Sequence, residues 1–207
     1  MRLDYTRICV VVDASSSMSS IRLDVVKALT SFCEEQRKAA AKGETIRVDL
    51  YQFSNSTTRL ATDASLDELE RFVKHYSTGG CTALYDAVCQ GIDELGAALA
   101  AMRESDRPED VLFVIVTDGE ENSSRRFRIS DVNERIKRQT EVYNWHFVFL
   151  ANGIDVQEYA EDMGIAQDDA VEFDRESLAE DFEGEMCSKM CCIREERLLR
   201  RQQTDNR

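Results

Sequence analysis

Two unbroken apolar stretches of the chain run up to an acid. Ile8 to Val12 closes on Asp13, and Val111 to Val116 closes on Thr117-Asp118-Gly119. Runs that are apolar on both faces read as central strands of a parallel sheet, here over 7–13 and 110–117. Trp145 to Leu150 predicts a third buried strand. Residues 45–53 alternate apolar and polar, so they predict a half-buried strand. Ser54-Asn55-Ser56 is a turn, after which 57–61 reads as a short hairpin partner at the sheet edge. Residues 169–173 predict a short last strand.

The intervening segments switch to helical spacing. Ile21, Val25, Leu29 and Phe32 mark a helix over 21–41 that Gly43 stops. Further helices are predicted over 66–75, 83–103 (after the Gly79-Gly80 break), 130–141, 155–163 and 176–201, with the last six residues frayed. Strands alternating with helices require crossovers. The expected fold class is therefore α/β: a mainly parallel, doubly wound sheet covered on both faces. The division expected is a domain over 1–175 and a charged C-terminal helix over 176–207.

Composition narrows the function. The chain has 207 residues, 43% hydrophobic and 32% charged, with one Pro and nine Gly, which excludes collagen-like and largely disordered chains. Forty acidic against 26 basic residues give a net charge of −14. That sign argues against a nucleic-acid clamp and against docking on an anionic membrane, so neither partner is expected. The apolar run near the start is too short for a secretory segment or a spanning helix, which need at least about 7 and about 20 residues. A cytoplasmic location is expected, where the seven Cys stay reduced.

In an open α/β sheet, ligands bind beyond the carboxyl ends of the strands, where connections diverge. Three segments fall there: Asp13-Ala14-Ser15-Ser16-Ser17, Thr78-Gly79-Gly80-Cys81-Thr82-Ala83-Leu84, and Thr117-Asp118-Gly119-Glu120-Glu121-Asn122. They supply carboxylates and hydroxyls and need no His or Cys. Hard divalent cations prefer such all-oxygen sets, Mg²⁺ first, with Mn²⁺ or Ca²⁺ as alternatives. Asp-x-Ser-x-Ser alone arises by chance in about one chain of this length in twenty. Ser15–Ser19 could serve only as a helix cap and Asp118-Gly119 only as a turn. The joint placement at two buried strand ends and a Gly-Gly helix start carries the inference.

Asp13-x-Ser15-x-Ser17, Gly79-Gly80-x-Thr82-x-Leu84 and Thr117-Asp118-Gly119, in that order, resemble the von Willebrand factor A domain and its metal-ion-dependent adhesion site. The resemblance covers about 5–175. The stretches 118–124 and 145–152 are similar to small stand-alone bacterial and phage proteins of this type. It implies a doubly wound, six-stranded, Rossmann-like sheet with one antiparallel edge strand. By match, Ser15, Ser17 and Thr82 would ligate Mg²⁺ directly, and Asp13 and Asp118 directly or through water. A partner protein's Asp or Glu would complete the sphere. The expected function is therefore a non-enzymatic, Mg²⁺-dependent protein-interaction module.

Two other classes are open. A Mg²⁺-dependent phosphohydrolase could use Asp13, but where such enzymes place a second Asp two residues on as acid/base, this chain has Ser15. A scaffold with an empty site is the third. A Ser-His-Asp hydrolase is disfavoured: of the two His, His75 reads as surface and His146 as a satisfied sheet residue, and no Gly-x-Ser-x-Gly elbow exists. Cys187, Cys191 and Cys192 offer three thiols without a nearby His, and read as an apolar seam against the body rather than as a zinc site. The last helix runs from acids (Glu176, Glu180, Asp181, Glu183, Glu185) to bases (Arg194, Arg197, Arg200, Arg201), which reads as complementing its dipole, with a docking tail as the other reading.

Overall fold

The computed structural model describes residues 1–40 and 43–205. Six strands form one sheet: β1 (Arg2–Asp13), β2 (Thr45–Phe53), β3 (Thr57–Ala64), β4 (Pro108–Thr117), β5 (His146–Ala151) and β6 (Ala170–Glu172). Their order is β3-β2-β1-β4-β5-β6. All neighbours pair in parallel except β2 and β3, so the antiparallel strand lies at one edge. Six α-helices complete the chain: α1 (Arg22–Ala39), α2 (Leu66–Val73), α3 (Leu84–Ala101), α4 (Ile129–Tyr143), α5 (Val156–Met163) and α6 (Leu178–Asp205). The expected fold class is the observed one.

Period two in the strands sorts the core into two layers. Ile8, Val10, Val12, Leu112, Val114 and Val116 face α1, α2 and α6. Cys9, Val11, Phe113 and Ile115 face α3, α4 and α5. Both faces are dry, which is why β1 and β4 read as unbroken apolar runs. The central pair also sets the switch point, because the chain leaves β1 towards β2 and later returns on its other side as β4.

Several elements differ from the sequence-based expectation. Strand β1 begins at Arg2, not Arg7. Its first residues pair with β4 across an irregularity, where Asp4 takes φ 55°. Strand β3 runs on to Ala64, three residues past the expected end, because the hairpin register shifts and lets Ala64 pair with Val48. A turn of 3-10 helix, Ser16–Ile21, precedes α1. The expected end of that first helix at residue 41 lies outside the described residues. The final helix continues to Asp205 instead of fraying after 201, and residues 206–207 are not described.

Helix α6 explains its own length. Phe182, Met186, Met190 and Ile193 recur at helical spacing and are all buried, packing against α1 and the sheet. Burying each contributes about 1.5–3 kcal/mol. The same stripe continues into Arg197, which is only 3% exposed. Its guanidinium donates to Asp110 Oδ2 (2.9 Å) and to Thr6 Oγ1 (2.7 Å), with Asp4, Glu44 and Glu109 within 3.6 Å. Arg200 pairs with Asp110, Arg201 with Asp4 and Glu109, and Arg194 with Glu44. The basic end of α6 is thus a clamp on acids around the amino ends of β1 and β4. It does more than complement a dipole.

The thiol seam is also corrected. Cys187 lies half-buried beside Gln36, but Cys191 and Cys192 are exposed. The buried positions of that stretch are Met186, Met190 and Ile193, so Cys191 falls off the packed stripe by one residue. His146 is not a satisfied residue. Its Nε2 is buried with no hydrogen-bond partner, and burial pushes the imidazole pKa down. His75 is exposed, as expected.

Arg197→Ala leaves Asp110 buried with a weakened partner set. We expect it to lose about 3–5 kcal/mol in urea unfolding, while Leu198→Ala, at an exposed neighbour, changes stability by no more than about 0.5 kcal/mol. Comparable small losses in both would refute the clamp. A second expectation concerns the thiols. Burial pushes Cys33 and Cys89 up to about 12, so near pH 8 they hold almost no thiolate. A thiol reagent at pH 8 should label Cys81, Cys191 and Cys192 in the folded protein, and Cys9, Cys33 and Cys89 only after denaturation. Rapid labelling of Cys33 or Cys89 in the native state would contradict that packing.

Candidate metal centre

Strands β1 and β4 run parallel in register, Val12 opposite Val116, so their carboxyl ends finish side by side. This delivers Asp13 and Thr117-Asp118 to one spot. Asp13 is fully buried. Its Oδ1 accepts the Ser15 N–H at 2.7 Å and its Oδ2 accepts the Thr117 hydroxyl at 2.7 Å. Burial pushes the Asp13 carboxyl above its usual range. The bonds from Ser15 and Thr117 oppose that shift, and the charge of Asp118 reinforces it. The buried Tyr76 hydroxyl donates to the Asp13 carbonyl, fixing the backbone at this point.

The loop after β1 folds back over the strand end. Ser17 Oγ donates to Asp118 Oδ1 at 2.6 Å. Since that proton is committed, the 2.9 Å contact between Ser15 Oγ and Ser17 Oγ has Ser15 as donor. A relay therefore runs from Ser15 through Ser17 to Asp118. The cap reading is not supported: Ser15 precedes the 3-10 turn with no side-chain capping bond.

The Gly-Gly loop closes the third side. Gly79 N–H donates to the Ala14 carbonyl (2.7 Å), Ser16 N–H to the Gly80 carbonyl (3.0 Å), and Gly80 N–H to Ser16 Oγ (3.0 Å). Gly80 has φ +93°, and a Cβ there would stand 2.9 Å from Asn55 Nδ2. Asn55 Oδ1 in turn accepts the Cys81 N–H. Thr82 follows, buried, donating its N–H to Asn122 Oδ1 at 2.9 Å and accepting from the Asn122 and Ser123 N–H groups. The loops carrying Asp13, Thr82 and Asp118 are thus bonded to one another directly.

Sequence reasoning named Asp13, Ser15, Ser17, Thr82 and Asp118. The structure links the two carboxylates and two serines through short bonds, and sets Thr82 on the adjoining loop. Sequence reasoning assigned no role to Thr117, which donates to Asp13. It also missed Glu121, whose carboxylate gathers the N–H groups of Tyr85, Ser123 and Ser124, and Asp86, which does so for Arg125, Arg126 and Phe127. These two acids brace the 119–128 loop on the start of α3. Arg175 was missed as well: its Nη2 donates to Asp118 Oδ2 at 2.6 Å. The available signal was its place as a lone base between Asp174 and Glu176, beyond the last strand.

The donor chemistry fits a hard divalent cation: two carboxylates and three hydroxyls, all oxygen. Among the described residues no group of three or more His, Cys, Asp or Glu is arranged to hold a metal. Any cation here would depend on the hydroxyls as much as on the acids.

A doubly wound sheet with oxygen donors at its switch point defines the class, and the sequence comparison gives the family. The chain belongs to the von Willebrand factor type A domain family, whose model matches residues 8–181. No curated protein matches it. Solved structures share the fold, among them the following three. The von Willebrand factor domain of the type V pili tip protein Mfa5 from Porphyromonas gingivalis has a TM-score of 0.65 at 10% identity, with 91% of this chain and 96% of that one covered. Manganese-loaded Plasmodium vivax TRAP protein gives 0.61 at 15%, covering 90% and 75%. Proximal thread matrix protein 1 from the mussel byssus, with a zinc-occupied MIDAS motif, gives 0.63 at 15%, covering 91% of this chain and 46% of that one. The chain thus spans about half the length of the mussel protein.

Gly80→Ala must strain the positive φ and push Asn55 away. We expect about 1–3 kcal/mol of lost stability in thermal or urea unfolding, with Gly119→Ala, where a Cβ meets open space, as the milder control. Equal effects would show that the Gly-Gly loop is not held as described.

Proposed function

We propose that this protein is a divalent-cation-dependent protein-interaction module, and that Asp13, Ser15, Ser17, Thr82 and Asp118 form an intact metal-ion-dependent adhesion site. The observation that carries the reading is the hydrogen-bonded convergence of the β1 and β4 ends, with Ser17 bridging the two loops onto Asp118. Two structures of the same fold are described as manganese-loaded and as zinc-occupied at a MIDAS motif, which supports a divalent ion here.

Mg²⁺ is the ion proposed, with Mn²⁺ or Ca²⁺ as substitutes, because every donor is a hard oxygen. The bound cation would supply a Lewis-acidic position for a carboxylate oxygen from a partner protein's Asp or Glu. The chain's own residues do the preparation. Thr117 and the Ser15 N–H orient Asp13, Ser15 and Ser17 aim their hydroxyls beside Asp118, and Asn122 holds the Thr82 loop in place. Ser17 is exposed while Asp13, Ser15, Thr82 and Asp118 are buried, so the cluster opens to solvent on the Ser17 side. A cytoplasmic setting, with its thiols reduced, remains part of this proposal.

An aspartate-based phosphohydrolase gains no support from the site. The position two residues after Asp13 is Ser15, whose N–H and hydroxyl are engaged with Asp13 and Ser17. It offers no acid/base group near neutral pH.

Calorimetric titration with Mg²⁺ and Mn²⁺ tests the reading. The wild type should bind, while Asp13→Ala and Thr82→Ala, checked for folding by thermal melts, should bind at least about tenfold more weakly. Equal, negligible heats for all three would leave only a scaffold. Turnover of a simple phosphate ester that disappears in Asp13→Asn would replace the proposal with the enzyme.

A further inference from the structure

Asp118 is covered. Its side chain has no solvent exposure, and each carboxylate oxygen already accepts a bond. Oδ1 takes the Ser17 hydroxyl and Oδ2 takes the Arg175 guanidinium, both at 2.6 Å. Arg175 is a cation that touches this cluster, and it comes from an element unrelated to the three motif loops. It stands on the short link between β6 and α6.

That link is built to hold its position. Phe173 is buried, and its N–H donates to the Ala151 carbonyl while its own carbonyl accepts from Asn152 Nδ2. Asp174 N–H donates to Asp181 Oδ2, Asp174 Oδ1 accepts the Glu176 N–H, and Ser177 Oγ donates to Asp181. The backbone on both sides of Arg175 is therefore pinned. The side chain itself is 41% exposed and long enough to swing away.

We propose that Arg175 is an internal counter-cation for Asp118, which a divalent ion must displace, so that this guanidinium sets the ion affinity of the site. The inference rests on the metal-site reading above. A guanidinium on Oδ2 and a divalent ion on the serine side at Oδ1 would share one small carboxylate and repel each other. Without a cation Asp118 would keep only the Ser17 hydroxyl, whereas buried Asp13 has two neutral donors, so Asp118 is the carboxylate that needs one of the two cations beside it. The ordering by charge follows. Arg175 neutralises Asp118 in the ion-free protein. On ion binding the freed guanidinium remains tethered at the rim of the site.

The test is Mn²⁺ calorimetry together with thermal melting, in chelator and in Mn²⁺, on wild type, Arg175→Gln and Arg175→Lys. Arg175→Gln should bind Mn²⁺ about tenfold more tightly, the equivalent of one charge-assisted hydrogen bond no longer broken. It should melt below wild type in chelator and recover that difference when Mn²⁺ is added. Arg175→Lys keeps the charge but loses the fork geometry, so its affinity should fall between the other two. It becomes the deciding variant should the Gln protein not fold. Equal affinities in all three proteins would overturn the competition and leave the metal site standing. Weaker binding by Arg175→Gln would overturn it too, showing that Arg175 supports the site. Absence of Mn²⁺ binding in every protein would overturn the metal-site reading and the competition with it.

Discussion

Two acids held side by side at the dry ends of adjacent parallel strands are the constraint that organises this molecule. Asp13 and Asp118 are both buried, and their charges oppose one another. In a low-dielectric setting neither can stay there without donors or a cation. The surrounding structure supplies them: the Ser15 N–H and Thr117 hydroxyl for Asp13, and the Ser17 hydroxyl and Arg175 for Asp118. Even the Gly-Gly loop serves this arrangement, since its bonds to Ala14 and Ser16 fold the serine loop over the strand end. The donors that stabilise these two acids are the same ones proposed to receive a divalent ion.

The opposite end of the sheet solves a similar problem differently. Asp4, Glu44, Glu109 and Asp110 gather near the amino ends of β1 and β4 and along the turn into β2. Helix α6 brings Arg194, Arg197, Arg200 and Arg201 to them. In a chain of net charge −14, a concentrated basic segment finds its partners within the molecule. The same helix begins three residues after Arg175. The link and the helix together thus reach both ends of the central strand pair, with the apolar stripe Phe182-Met186-Met190-Ile193 between them.

Much of this was legible in the chain. Buried parallel strands cannot alternate, so 7–13 and 110–117 announced themselves as unbroken apolar runs, and the acids closing them marked the ligand end. The edge hairpin at Asn55 and the Gly79-Gly80 break were equally readable, because turn chemistry is local. What was misjudged depended on distant partners. Nothing near Arg2 or Ala64 shows that their strands continue, since the pairing residues lie elsewhere in the sequence. Cys191 was misplaced because one step around a helix decides who faces solvent, and His146 lies in its strand as expected but finds no partner for Nε2.

The sequence by itself therefore determined the sheet, the winding and the oxygen-rich character of the three loops, because periodicity and terminating residues act over a few positions. Only the tertiary structure decided that Thr117 serves Asp13, that Glu121 and Asp86 brace the third loop, and that Arg175 and the arginines of α6 pair with particular acids. Charged side chains choose partners by proximity in space and by the need to neutralise buried charge, and neither is written in sequence separation.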